Sequence, residues 1–97
     1  MSEAATILIV DDDRDILELL EERLTGLGFR TVSAADGASM FERLEEQRFD
    51  CILLDIMLPG EDGLSLCRRL RTPGTPYEHT PVIFLTALGE MTDRVVG

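Results

Sequence analysis

The chain of 97 residues carries 19 acidic side chains against 9 basic ones, a formal net charge of -10, with 44% of its residues hydrophobic. That length and apolar content suit one globular domain spanning residues 1–97, able to bury roughly 60–70% of its unfolded surface. The acidic balance argues against nucleic acid or an anionic membrane as a direct partner, because phosphate binding rests on clustered Lys and Arg, and every cationic side chain here except His79 is an arginine.

The first apolar run, "TILIV" (Thr6–Val10), is short, rich in Ile, Leu and Val, and does not alternate, which predicts a strand covered on both faces. The period then changes. Ile16, Leu20, Leu24 and Leu27 recur at spacings of four, four and three, predicting a helix over 14–27 capped by Asp13 and stopped by Gly26 and Gly28. A weaker strand, "RTVSA" (Arg30–Ala34), precedes a second helix in "DGASMFERLEEQRF", with Ala38, Phe41 and Leu44 facing inward. "CILLD" (Cys51–Asp55) is another doubly covered strand. "GLSLCRRLR" predicts a third helix capped by Asp62, with Leu64, Cys67 and Leu70 inward. "TPGTPYEHTP" reads as a loop, "PVIFLT" (Pro81–Thr86) as a fourth strand, and "GEMTDRVVG" as the start of a fourth helix. Strands and helices alternating on short connections imply right-handed crossovers, hence an α/β fold with a parallel sheet and helices on both faces.

Cys51 and Cys67 read as buried thiols of a reducing compartment. No signal-peptide pattern and no apolar run of membrane-spanning length is present, so a cytoplasmic location is expected.

In an open parallel sheet, ligands bind outside the carboxyl ends of the strands. The first strand ends in Asp11, Asp12 and Asp13, the third in Asp55 and the fourth in Thr86. If the first and third strands are neighbours, their carboxylates converge, and such a group repels itself unless a cation sits within it. Hard oxygen donors suit Mg2+. A metal beside Asp55 would also cancel the repulsion felt by an approaching phosphoryl group, so Asp55 could attack phosphorus and become an acyl phosphate, with Thr86 donating to a phosphoryl oxygen. Each Asp taken alone is an ordinary cap or turn former; their coincidence at the ends of separate strands carries the chemical reading.

Two other readings compete. Asp11, Asp13, Asp15 and Glu22 match positions 1, 3, 5 and 12 of an EF-hand calcium loop, but position 6, which requires Gly, is Ile16. A phosphatase of the haloacid dehalogenase class would carry a second Asp as general acid two residues after its nucleophile, and Met57 stands there, so any turnover should be slow.

Taken together, "ILIVDDD", "LLDIMLPGEDG" and "PVIFLTA" resemble the receiver domain of two-component response regulators, in order along the whole chain. The resemblance implies a flavodoxin-like three-layer fold with sheet order 2-1-3-4 and the fifth strand missing. It implies that Asp55 accepts a phosphoryl group from the phosphohistidine of a sensor histidine kinase. It further implies an Mg2+ site in which Asp12 and Asp55 are ligands, Asp11 acts through water and the backbone carbonyl of Met57 completes the set. Thr86 would be the switch hydroxyl, while Pro59 and Gly63 shape the loop after the acceptor. "MLPGEDGLSLCRRLR" is most similar to receivers that precede DNA-binding output domains.

Family members also have a fifth strand ending in a lysine, an aromatic switch residue on that strand, and a fifth helix. None can be placed in these 97 residues, which contain no lysine. The reading is therefore a receiver truncated before the fifth strand and helix, a signalling module and not an enzyme beyond slow self-phosphorylation and self-dephosphorylation. Lacking that cover, it is expected to form a homodimer or an element-swapped dimer through the edge of "VIFLT" and the uncovered face of the first helix. The other class of reading is an interaction or dimerisation module that keeps the fold and is not phosphorylated.

Overall fold

The computed structural model describes residues 4–56, 58, 62–85 and 91–92. In chain order these form β1 (Thr6–Val10), α1 (Arg14–Gly26), β2 (Arg30–Ala34), α2 (Gly37–Glu46), β3 (Cys51–Asp55), α3 (Gly63–Leu70), β4 (Val82–Leu85) and β5 (Met91–Thr92). The sheet order is β2-β1-β3-β4-β5. The first four strands are parallel, as the alternation of strands and helices predicts.

The fifth strand differs from expectation. Met91 and Thr92 pair antiparallel with Leu85 and Phe84, where the sequence predicts the start of a helix. An open strand edge presents unpaired N–H and C=O groups that a following extended segment can satisfy. The outer edge of β4 is therefore occupied at these two residues and is not free there for pairing with a second copy.

The sheet is buried on both faces because its central strands are apolar at consecutive positions. Leu8 and Val10 of β1, Ile52 and Leu54 of β3, and Val82 and Phe84 of β4 pack with Met40 and Leu44 of α2 and Leu66, Cys67 and Leu70 of α3. The alternate residues Ile7, Ile9, Leu53 and Leu85 pack on the other side with Leu17, Leu20 and Leu24 of α1. Cys67 belongs to the first cluster and Cys51 packs against the second. The two thiols thus lie on opposite sides of the sheet, and both are free. Cys51 is only half-buried.

The helix caps follow the sequence. Asp13 accepts from the Asp15 and Ile16 N–H groups, and Asp62 accepts from the Leu64 N–H. The inward faces follow it only in part: Leu20 and Leu24 of α1, Phe41 and Leu44 of α2, and Cys67 and Leu70 of α3 pack on the sheet as predicted, and other positions differ. In α1, Leu17 packs on the sheet in the place predicted for Ile16, while Leu27 is the C-cap and 74% exposed. In α2, Gly37, Met40 and Leu44 are buried while Ala38 is exposed. In α3, Leu66 is fully buried and Leu64 is 54% exposed. Adjacent residues on a helix lie 100° apart, so two neighbouring apolar stripes are equally periodic, and the packing partner selects between them.

Among the described residues, no helix is long and apolar enough to cross a membrane.

Candidate functional site

The β1–β3 register runs from Ile7 opposite Cys51 to Val10 opposite Leu54. One step further brings Asp11 beside Asp55 at the carboxyl ends of adjacent strands. Both side chains follow the face that carries Ile9 and Leu53, and both are buried, at 3% and 8% exposure. Asp12, the next residue, is exposed. One carboxylate oxygen from each of Asp11, Asp12 and Asp55 lies within 4.8 Å of the others. The sequence places these three residues at strand ends, and the sheet order makes them one site.

The backbone around this cluster is held from several sides. The Asp11 N–H donates to the Ala34 carbonyl at the end of β2, at 3.1 Å. The Ile56 N–H, directly after Asp55, donates to the Leu85 carbonyl of β4, at 3.4 Å. On the α3 side, a Cβ at Gly63 would stand 2.8 Å from the Ile56 Cα. Only glycine allows the first turn of α3 to approach the residue following Asp55 this closely, so Gly63 shapes the backbone next to Asp55.

Burial pushes the Asp11 carboxyl up to about 6, opposed by the hydrogen bond from the Asp13 N–H and reinforced by the charges of Asp55, Asp12 and Asp13. A carboxylate so placed favours a compensating positive charge, either a proton or a cation. The donor set consists of hard oxygens only, with no sulfur or imidazole, and one of the three groups opens to solvent. It fits Mg2+, which prefers few carboxylates and retains waters.

Met57, Pro59 and Thr86 lie outside the described residues. The rejection of a calcium loop at Ile16 agrees with the fold, in which Asp15, Ile16 and Glu22 are part of the continuous helix α1. One contributor escapes the sequence reading: the Asp13 N–H, which donates to Asp11 Oδ1 at 2.8 Å. The run of three aspartates before a helix was its only signal.

Comparison with known proteins agrees with this geometry. The family model described as the response regulator receiver domain matches residues 7–97. The transcriptional regulatory protein GltR of Pseudomonas aeruginosa is 45% identical over 92 residues, which cover 95% of this chain and 38% of that protein. AfsQ1 of Streptomyces coelicolor, also a transcriptional regulatory protein, is 44% identical over 92 residues, covering 95% and 39%. The chain thus spans less than two fifths of the length of these relatives. Among solved structures, the N-terminal domain of a response regulator receiver protein from Methanoculleus marisnigri superposes with a TM-score of 0.81 at 35% identity, covering 86% of this chain and 67% of that one. TrrA of Thermotoga maritima, solved in complex with Mg2+ and BeF, gives 0.76 at 32% identity, covering 86% and 70%. A family match over almost the whole chain, joined to this sheet order and this acidic cluster, places the protein in the response regulator receiver domain family.

Proposed function

We propose that Asp55 is a phosphoryl acceptor and that Asp11, Asp12 and Asp55 hold the Mg2+ that makes the transfer possible. The observation that carries this reading is the convergence of the three carboxylates within 4.8 Å at the carboxyl edge of the sheet. Bound there, Mg2+ supplies positive charge between a carboxylate and a phosphoryl group that would otherwise repel each other.

The roles of the chain's own residues follow from their positions. Asp55, fixed at the end of β3, attacks phosphorus in line with the donor's P–N bond. An O–P bond forms on the carboxylate, the P–N bond breaks, and the imidazole of a sensor kinase's phosphohistidine leaves. Asp12, Asp11 and Asp55 would hold the cation, Asp12 as a direct ligand and Asp11 through water by likeness to the family, with the Met57 carbonyl completing the set. Thr86 serves as the switch hydroxyl that meets the phosphoryl group. Met57 stands where a phosphatase of the aspartate class has its general acid, so the acyl phosphate is held rather than rapidly turned over.

The named relatives are transcriptional regulators more than twice as long as this chain. By likeness, phosphorylation of this domain controls a DNA-binding output segment in the parent protein, and the domain itself contacts the kinase rather than nucleic acid. The 97 residues fold as a single domain in this reading.

The test is incubation with a small phosphodonor and Mg2+, followed by intact mass measurement. The expected result is a mass gain of one phosphoryl group that is absent in Asp55→Asn and absent with a chelator. No gain in the unsubstituted protein refutes the acceptor role and leaves the non-phosphorylated interaction module as the better reading.

A further inference from the structure

We infer that Asp13 is a positioning residue for the cation site: its side chain caps α1 and thereby fixes the backbone N–H that holds the Asp11 carboxylate in place. The inference rests on the reading of Asp11, Asp12 and Asp55 as an Mg2+ site and adds a residue to it.

All three polar groups of Asp13 are engaged at the junction of β1 and α1. Its N–H donates to Asp11 Oδ1 at 2.8 Å. Its carbonyl accepts from the Leu17 N–H at 3.1 Å, the first bond of the helix. Its carboxylate Oδ1 accepts from the Asp15 N–H at 2.9 Å and the Ile16 N–H at 3.4 Å. The residue itself is extended, with φ -85 and ψ 110. The side-chain bonds to the first turn set that backbone conformation, and that conformation aims the N–H at Asp11.

Asp11 is 3% exposed, so little solvent is available to orient its carboxylate. The Asp13 N–H holds Oδ1 and so fixes the orientation in which the carboxylate faces the cation or a water bound to it. Carboxylates that ligate metals are themselves commonly oriented by such hydrogen bonds, and loss of the orienting partner typically weakens metal affinity by about tenfold or more.

A purely structural cap provides the contrast. Asp36 caps α2 by accepting from the Ser39 N–H at 2.8 Å, and it is not one of the three clustered carboxylates. Asp36→Ala therefore removes a helix cap and one negative charge without removing a hydrogen bond to the Asp11 carboxylate.

The experiment is calorimetric titration of Mg2+ at neutral pH and fixed ionic strength into the unsubstituted protein, Asp13→Ala, Asp13→Asn, Asp13→Ser and Asp36→Ala. Helicity is checked by circular dichroism at the same temperature. Asp13→Ala is expected to weaken Mg2+ binding by about tenfold. Asp13→Asn and Asp13→Ser, which keep a capping oxygen, should restore affinity to the level of Asp36→Ala. If Asp13→Ala binds as tightly as Asp36→Ala, or if Asp13→Ser is as weak as Asp13→Ala, the positioning role is overturned while the metal site stands. If the unsubstituted protein binds no Mg2+, the metal site itself falls and the positioning role with it. Should Asp13→Ala fail to fold, Asp13→Gly takes its place, since glycine is tolerated at helix N-caps without supplying an acceptor.

Discussion

Asp11 and Asp55 stand side by side on neighbouring parallel strands, one register step past the Val10–Leu54 pair. Both are buried. The fold thus places two carboxyl groups at adjacent buried strand ends, where the charge of Asp55 adds to burial in raising the Asp11 carboxyl.

The first consequence is an inverted pH dependence in the absence of metal. Asp11 is raised from the usual 3.8 to about 6 in the folded protein, chiefly by burial. Between those values the native state binds more protons than the unfolded chain, so stability rises as pH falls from 7 toward 4. The slope from this one group is at most about 1.4 kcal/mol per pH unit. Asp36, whose carboxyl is held below its usual value by the Ser39 N–H, opposes the trend only below that window. Urea denaturation with chelator at pH 7 and pH 5 should show the gain, and Asp11→Asn should abolish it. Stability that falls from pH 7 to pH 5 contradicts the assignment.

Metal should reverse the cost of this arrangement. Asp11→Asn removes the buried charge, so the metal-free protein should gain about 1 kcal/mol of stability at pH 7, less than the full shift of Asp11 converts to because the amide that replaces it is itself a buried polar group. Its stabilisation by added Mg2+ should shrink or vanish, because a ligand stabilises only in proportion to its affinity for the native state. Thermal melts with and without Mg2+ measure both effects.

Gly63→Ala should destabilise the fold by about 1–3 kcal/mol, the usual cost of forcing extra volume into a packed site. The added Cβ would meet the Ile56 backbone at 2.8 Å, and backbone cannot move aside as a flexible side chain can. A lowered urea midpoint with an unchanged slope is the expected signature. Because Ile56 follows Asp55, the rate of phosphorylation by a small donor should fall as well.

The rotation of α3 can be tested with two leucines in the same helix. Leu66 is fully buried and Leu64 is 54% exposed. Leu66→Ala should cost about 2–5 kcal/mol, and Leu64→Ala should stay within about 0.5 kcal/mol of the parent. Equal effects would contradict the packing described.

Self-association should run through α1. No residue of that helix is fully buried, and Leu19 and Leu27 are 50% and 74% exposed, whereas the edge of β4 is already paired with Met91 and Thr92. Light scattering at micromolar concentration should give a dimer that Leu19→Glu converts to monomer. A monomer before substitution rules the dimer out.

Much of this protein was legible in its sequence, because the signals involved are local. The uninterrupted apolar runs from Thr6 to Val10 and from Cys51 to Asp55 are strands because such runs bury both faces, whatever surrounds them. Asp13 and Asp62 cap helices because a short side-chain oxygen satisfies the first free N–H groups of the helix that follows. The acidic residues at strand ends could be named for the same reason.

Other features depend on packing between distant segments. Whether Leu64 or Leu66 faces inward is a choice between two equally periodic stripes, made by the sheet against which α3 rests. The antiparallel pairing of Met91 and Thr92 arises because β4 offers an unpaired edge, which no local pattern announces. The site itself is of this second kind. Asp11, Asp12 and Asp55 could be proposed as partners from the sequence, but only the adjacency of β1 and β3 places their oxygens within 4.8 Å of one another. Composition supplied the carboxylates, and parallel register together with burial gathered them into one acidic cluster.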